Sequence, residues 1–284
     1  MLEATRKRLQ ELGFEKLPRE VLADVREAIQ FRLVRADEKD IRVGQSKFGG
    51  APDIPPDTDW PVDPHGKPMA FFCQLNFAEI AQFDLERKLP AKGWLYFFIS
   101  SDVTEFEEDE PGLWRVMFAE CDQATQHREK PPASLATESG DDTNVCIEPC
   151  RVMFEREIQF GGDFEDWYNE LVGGSVEDDN PEAEAAAELL EKMDEWTVLR
   201  DGERVSVCVD TSRPGDEPKH QLLGHPQFSG YEEPKGHRLL LKIDADVDAT
   251  GMGFVDAGTW FVYIAESALA KRDFSRTVVR LAIG

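Results

Sequence analysis

The sequence predicts an α+β fold with a largely antiparallel sheet, built from a duplicated strand-rich unit, with N-terminal helices and an acidic helical insertion. Three observations support this prediction: short segments rich in aromatic and β-branched residues, blocks that recur in one order, and helical spacing in two segments. The predicted strands are Phe71–Leu75, Trp94–Ile99, Leu113–Ala119, Arg204–Val209, Leu239–Ile243, Thr259–Ile264 and Thr277–Ile283.

The N-terminal segment, residues 1–43, is predicted to form helices that pack on the main domain. A short helix is expected over Leu2–Leu12, and Pro18 suits the first turn of a second helix. The apolar residues that follow Pro18 at one-turn spacing are Val21, Val25, Ile29 and Leu33.

Self-similarity divides the rest of the chain, residues 44–284, into two repeats. Repeat one covers residues 46–120 and repeat two covers residues 204–284. Each repeat has a Pro-marked loop, then a strand that ends in polar residues, then a Gly-led aromatic strand. The paired blocks are Gly50–Pro52 with Gly224–Pro226, Phe71–Asn76 with Leu239–Asp244, and Gly93–Ile99 with Gly258–Ile264.

An acidic insertion, residues 121–203, separates the repeats. Residues 163–195 contain thirteen acidic residues and a single base, Lys192. Pro181, preceded by Asp179 or Asn180 as cap, predicts a helix within this segment. The glutamates of this helix that are candidates for binding a partner are Glu182, Glu184, Glu188 and Glu191.

The composition limits the possible functions. The 284 residues carry a formal net charge of −25, which disfavours binding to the phosphate backbone of nucleic acids. No stretch approaches the ~18 consecutive apolar residues of a membrane span. The N-terminus shows no signal-peptide pattern, so a cytoplasmic protein is expected.

The five cysteines predict reduced, mostly buried thiols, because an odd and scattered set does not make a disulfide framework. A zinc site at Cys146 and Cys150 is the alternative, although no second pair has metal-ligand spacing. No nucleophile, phosphate-binding loop or cofactor motif is found, so no catalytic residue, metal or cofactor is predicted.

Five ordered blocks resemble the YwqG-like domain of unknown function, over roughly residues 44–284. The resemblance implies a soluble α+β fold with a largely antiparallel sheet and no established reaction. Some relatives are associated with bacterial secreted-toxin neighbourhoods, which implies an immunity role as a hypothesis. The blocks are SKFGGAPDIPPDTDWP (46–61), GKPMAFFCQLNFAEI (66–80), LPAKGWLYFFIS (89–100), HQLLGHPQF (220–228) and LLLKIDAD (239–246) followed by DAGTWFVYI (256–264).

Polar residues within apolar strands provide the candidate ligand site. Gln74 with Asn76, and Lys242 with Asp244, each lie two residues apart and therefore share one face of a strand. They either line a polar cleft between the repeats or tie the strand ends to neighbouring loops. Trp60 is either an aromatic anchor for a ligand or a cap on the core. The candidate ligand-binding residues are Trp60, Gln74, Gln221 and Asp244.

Two functional hypotheses follow from these residues. The first is a soluble acidic protein-interaction module, of which an immunity-type inhibitor is one form, whose carboxylates attract a basic partner. The second is a small-molecule-binding protein or enzyme with a site between the repeats. The sequence specifies neither the partner nor the oligomeric state.

Overall fold

The computed structural model describes residue 7 and residues 19–100, 112–136, 147–161, 203–207, 220–226, 233–251 and 258–282. Four helices of four or five residues occur within these ranges: α1 (Arg19–Ala23), α2 (Phe77–Ile80), α3 (Val247–Thr250) and α4 (Glu266–Leu269). No helix in these ranges is long and apolar enough to cross a membrane. The strands are β1 (Arg26–Arg35), β2 (Lys47–Phe48), β3 (Asp53–Ile54), β4 (Ala70–Asn76), β5 (Trp94–Ile99), β6 (Trp114–Ala119), β7 (His127–Arg128), β8 (Cys150–Phe160), β9 (Glu203–Val207), β10 (His220–Leu223), β11 (His237–Asp244), β12 (Thr259–Ala265) and β13 (Thr277–Ala282).

The predicted α+β class is wrong, because a mostly antiparallel, nearly closed, barrel-like sheet dominates the structure. The strand order is β13-β12-β11-β10-β1-β8-β2-β4-β5-β6, and β9 pairs in parallel with β8. The two end strands approach each other, since Phe118 of β6 and Phe274 just before β13 have ring centroids 5.0 Å apart. The predicted acidic helix lies outside the described residues.

The predicted helix after Pro18 is also wrong over most of its length. Only Arg19–Ala23 is helical, and the chain then enters β1. A spacing of four residues fits one turn of a helix, but it is also twice the two-residue period of a strand. Ile29 and Phe31 consequently point into the core, as alternate residues of a strand do.

The centre of the sheet consists of β1 and β8, which pair antiparallel from Arg26 opposite Gln159 to Arg35 opposite Cys150. The sequence patterns did not identify β8, which lies within the segment predicted as the insertion, nor the short strand β10. On their other sides, β1 pairs with β10 and β8 pairs with β2. The two central strands therefore join the strands on one side of the sheet to the strands on the other side.

Two sets of strands flank this centre in the same order: β2-β4-β5-β6 and β10-β11-β12-β13. The registers also agree, because Asn76 is opposite Trp94 in the first set and Asp244 is opposite Thr259 in the second. Both sets contain an irregularity at the same place, one between Phe71 and Cys73 and the other between Leu239 and Leu241. A common origin by gene duplication remains a prediction about ancestry.

Aromatic and aliphatic side chains fill the interior of the sheet and join the two strand sets. Phe72 packs edge-on against Trp260, with ring centroids 6.5 Å apart. Phe31 of β1 packs against Phe48 of β2, with ring centroids 5.6 Å apart. The interior between the two sets is therefore an apolar core, and polar strand residues are left for the outer face.

Gly49 illustrates how closely the loop after β2 approaches its neighbours. Its backbone has a left-handed φ of +59°, and a Cβ at this position would lie 2.4 Å from the carbonyl oxygen of Ile147. Gly66 has a φ of +80°, and a Cβ there would have nothing within 4 Å. Both positions thus share the backbone conformation, but only Gly49 has a steric obstacle.

We expect Gly49→Ala to lower the free energy of unfolding by about 3 kcal/mol, because backbone strain adds to displacement of the Ile147 backbone. Gly66→Ala, the matched control, is expected to lower it by only about 1 kcal/mol, from strain alone. Urea unfolding of the two variants measures the difference. Equal losses would contradict the close approach at Gly49.

Candidate functional site

Two buried clusters of polar side chains lie on the outer face of the sheet, one at β2 and β4 and the other where β1, β8 and β10 meet. In the first, Lys47 of β2 is directly opposite Gln74 of β4. Lys47 Nζ lies 2.5 Å from Glu38 Oε1, and Gln74 Nε2 donates to Asp53 Oδ2 at 2.8 Å. The residues of this first polar cluster are Glu38, Lys47, Asp53, Gln74 and Arg128.

Asp53 is the centre of the first polar cluster and has no exposed surface. Arg128 donates to its two carboxylate oxygens, from Nε at 2.8 Å and Nη2 at 3.2 Å. The backbone N–H of Gly44 also donates to Asp53 Oδ2, and Asp53 N–H donates to Gln74 Oε1 at 2.6 Å. These contacts join the loop before β2, β3 and β7 to one another and, through Gln74, to the main sheet, so the cluster closes this face.

The pKa values agree with a closed, structural network. Burial lowers the pKa of the Lys47 ammonium, and the adjacent Glu38 carboxylate opposes that shift. Burial is the largest single effect on the pKa of Arg128 and acts to lower it. The hydrogen bond to Asp53 and the neighbouring carboxylate charges together outweigh burial, so the pKa of Arg128 is raised. Both cations are therefore held by their carboxylates within the cluster.

The second polar cluster lies where β1, β8 and β10 meet. Glu157 Oε2 accepts hydrogen bonds from Gln30 Nε2 at 2.5 Å and Gln159 Nε2 at 2.6 Å. Gln221 Oε1 accepts from the same two amide groups, at 2.9 and 3.1 Å. The residues of this second polar cluster are Gln30, Glu157, Gln159, Gln221 and His225.

The two strand sets use matching positions of the sheet with the residue types exchanged. In the first strand set, Lys47 of the short strand is opposite Gln74 of the next strand. In the second set, Gln221 of the short strand is opposite Lys242. Each set thus places one lysine and one glutamine side by side on the covered face.

The structure does not bring the four predicted ligand residues together. Gln74 and Gln221 belong to different polar clusters, and both are fully buried. Trp60 Nε1 donates to Met69 O at 2.9 Å, and its ring packs edge-on against Phe98. Asp244 accepts from Thr259 Oγ1 at 2.8 Å and lies 3.5 Å from Lys242 Nζ. Their roles in ligand binding remain predictions.

The four predicted partner-binding glutamates lie outside the described residues: Glu182, Glu184, Glu188 and Glu191.

The polar ends of the strands lie within the described residues. Gln74 Nε2 donates to Gln45 O, and Asn76 Nδ2 donates to Gly44 O, each at 2.8 Å. These contacts tie the end of β4 to the preceding loop, which is one of the two alternatives that the sequence left open.

Sequence analysis missed most members of the two polar clusters. Glu38, in the segment between β1 and β2, and Arg128, in β7, lie far apart in the chain, and no local pattern connects them. A usable signal existed for Gln30 and Gln159, since both stand in the tripeptide Ile-Gln-Phe, at 29–31 and 158–160. A polar residue between two apolar ones, recurring with the same neighbours, indicates a strand with one covered polar face.

Residue types suited to nucleophilic chemistry also meet inside the sheet. His220 Nε2 lies 3.4 Å from Asp246 Oδ2, and its ring stacks on Phe31 with centroids 5.5 Å apart. Cys150 is buried nearby, and burial raises the pKa of its thiol to about 11. A thiol with that pKa remains protonated at neutral pH, so this arrangement does not provide an activated nucleophile.

The cysteines within the described ranges, Cys73, Cys121 and Cys150, are free thiols, as expected. Cys146 and Cys208 lie outside these ranges, so the zinc alternative at Cys146 and Cys150 stays untested. In the part of the chain that the structure describes, no three His, Cys, Asp or Glu residues are grouped to hold a metal ion.

With the fold and the two clusters defined, comparison with known families places the chain. Residues 46–282 match the family model of a domain of unknown function, DUF1963, and the chain belongs to that family. The match supports a family without an assigned activity and does not confirm the YwqG-like resemblance. No curated protein matches the chain.

We expect Asp53→Asn to lower the free energy of unfolding by about 3 kcal/mol, because it leaves the part-buried Arg128 guanidinium with an incomplete partner. Asp59→Asn, an exposed control with the same change in charge, should alter stability by no more than about 0.5 kcal/mol. Chemical denaturation of both variants provides the measurement. A loss at Asp53 no larger than that at Asp59 would argue against the first polar cluster as a structural lock.

His225 makes the second polar cluster sensitive to acid. Its Nε2 lies 2.7 Å from the backbone oxygen of Asp24, so this nitrogen carries the proton of a neutral ring. Burial, with a contribution from Arg26, lowers the pKa of His225 to about 4. The unfolded chain therefore binds a proton on this histidine at a higher pH than the folded protein does.

Folding stability should accordingly fall as the pH drops from about 6.5 to about 4, by at most about 3 kcal/mol for this one group. Below the folded pKa the loss is complete, and above pH 7 it is absent. The measurement is unfolding free energy against pH for the wild type and for His225→Gln, which keeps an N–H donor. If the two profiles run parallel through this window, His225 is not the titrating group.

Proposed function

We propose that this protein is an acidic interaction module that binds a basic protein partner, in the manner of an immunity-type inhibitor. The observation that carries the proposal is the charge: a net −25, with thirteen acids and one base in residues 163–195. A concentrated negative field accelerates association with a cationic surface and favours it over neutral competitors.

The interior and the two polar clusters support a scaffold role for the rest of the chain. Lys47, Gln74 and Gln221 are buried and make their contacts within the protein. Residues that are occupied in this way support a structural role for the sheet and are not free to take part in chemistry. The free thiols Cys73, Cys121 and Cys150 agree with the reducing cytoplasm as the working compartment.

Small-molecule binding at the four residues predicted between the strand sets has less support. The space between them is filled by residues such as Phe72 and Trp260, and Trp60, Gln74, Gln221 and Asp244 point into different surroundings. The proposal therefore concerns a macromolecular partner and its electrostatic attraction.

The test uses two full-length variants with the same change in net charge. One neutralises the candidate segment by Glu182→Gln, Glu184→Gln, Glu188→Gln and Glu191→Gln. The control neutralises four exposed carboxylates elsewhere, by Asp40→Asn, Asp57→Asn, Asp59→Asn and Asp248→Asn. Partners captured from the source cell by cross-linking to the wild type are purified, and their association rates with all three proteins are measured by surface plasmon resonance.

We expect a basic partner whose association rate falls about tenfold with the first variant and little with the control. Raising the salt from about 0.05 M to about 0.5 M should remove most of the difference, because the Debye length shrinks from above 10 Å to a few ångströms. Capture of no basic protein, or an equal effect of both variants, would refute the proposal.

A further inference from the structure

A cavity of about 460 Å³ opens where the β4–β5 loop meets β11 and the turn after α4. In a protein with a net charge of −25, its lining is strongly cationic, with four basic side chains and one carboxylate. Apolar side chains complete the wall. The charged lining residues are Arg87, Lys88, Arg238, Arg272 and Glu266, and the apolar ones include Leu89, Pro90 and Leu269.

Arg238 is the unusual member of this lining. It lies opposite Ile264, a core residue, so it projects to the interior side of the sheet, and it is only 8 % exposed. Its Nε has no hydrogen-bond partner. Within the described ranges, no carboxylate lies at ion-pair distance from its guanidinium, although Glu233, Glu86 and Glu266 act on it from farther away.

A buried guanidinium nitrogen without a hydrogen-bond partner is costly because burial removes its hydration, and Arg238 Nε is in this position. Burial and the neighbouring Arg26 lower the pKa of Arg238, which shows that its surroundings oppose the positive charge. Arg26 itself is already engaged, with Nη1 2.7 Å from Glu233 Oε2. An anion in the cavity would supply the contacts that Arg238 lacks.

The loop that carries Arg87 and Lys88 is fixed in position by Asp84. The buried Asp84 carboxylate accepts from the backbone N–H of Lys88 at 3.1 Å and of Leu89 at 2.7 Å. Arg87 has a left-handed φ of +51°, and its N–H donates to Asp84 O. The basic side chains are thus presented from an ordered turn, as a binding site requires.

The ion pairs within the lining leave two guanidinium groups for a ligand. Lys88 contacts Glu86, and Arg272 Nη1 lies 3.6 Å from Glu120 Oε2. For Arg87, as for Arg238, no ion pair is present in the described part of the chain. Two guanidinium groups match the charge of a phosphate monoester, which is about −1.5 to −2 at neutral pH.

We propose that this cavity binds a phosphorylated small molecule, with the phosphate on Arg238 and Arg87 and the organic part against Leu89, Pro90 and Leu269. The size supports this class, because a volume of about 460 Å³ exceeds the need of a bare phosphate ion. None of the lining residues given above belongs to the acidic segment at 163–195, so this proposal goes beyond the proposed interaction with a basic partner.

The experiment measures binding of phenyl phosphate and inorganic phosphate to the full chain by calorimetry, with phenol and sodium chloride of equal ionic strength as ligand controls. We expect saturable binding of phenyl phosphate, weaker binding of phosphate, and none of phenol. Arg238→Gln should weaken phenyl phosphate binding at least tenfold. Arg42→Gln, an exposed arginine in the loop before β2, should leave it unchanged.

The melting temperature separates ligand binding from a structural role. Without ligand, Arg238→Gln should melt at a higher temperature than the wild type, since it removes an unpaired buried charge, whereas loss of a structural contact would lower it. If Arg238→Gln does not fold, phenyl phosphate binding is measured with Arg87→Gln, which changes an exposed residue, and weaker binding is expected. Absence of saturable phenyl phosphate binding, or full binding by both Arg238→Gln and Arg87→Gln, would overturn the proposal.

Discussion

The long antiparallel pairing of β1 with β8 is the constraint on which the structure depends. It spans Arg26–Arg35 and joins strands that are distant in the sequence. Each central strand turns its other edge to the opposite strand set, β1 to β10 and β8 to β2. The two sets consequently form one curved sheet, and Phe72 of one packs against Trp260 of the other.

This arrangement determines where polar residues can lie. The curved sheet encloses an apolar interior, so a polar side chain on a strand must point to the outer face, and the loops that cover this face must provide hydrogen bonds. Asp53 does so for Gln74, and Glu38 does so for Lys47. Exceptions on the interior side include His220, which lies 3.4 Å from Asp246, and Arg238, which lies at the mouth of a cavity and whose Nε has no hydrogen-bond partner.

Sequence patterns predicted the strands that are apolar on both faces. Trp94–Ile99 and Thr259–Ile264 were found within one residue of their ends, because aromatic and β-branched runs bounded by glycine are specific to buried strands. The central strand β1 was mistaken for a helix, since its apolar residues fit both periods. Whether this segment forms a strand or a helix depends on its pairing with β8, which is distant in the sequence. No local pattern contains that information.

The candidate site was harder to predict for the same reason. Gln74, Gln221 and Asp244 were candidates from the sequence, but their hydrogen-bond partners come from other segments of the chain, such as Asp53 of β3 for Gln74 and Gln30 of β1 for Gln221. Arg238 and Arg87 attract no notice in the sequence, because isolated arginines are ordinary on a protein surface. Only the packing shows that Arg238 is almost fully enclosed.

The position of β1 between β10 and β8 also sets the order in which the sheet can assemble. A ribosome delivers β1 early, yet both neighbours of β1 in the finished sheet, β8 and β10, arrive only in the second half of the polypeptide. Until then, both edges of β1 and one edge of β2 lack their strand partners in the nascent N-terminal half and are open to other chains. Such dependence on distant segments makes folding slow and leaves neither half able to complete its own sheet.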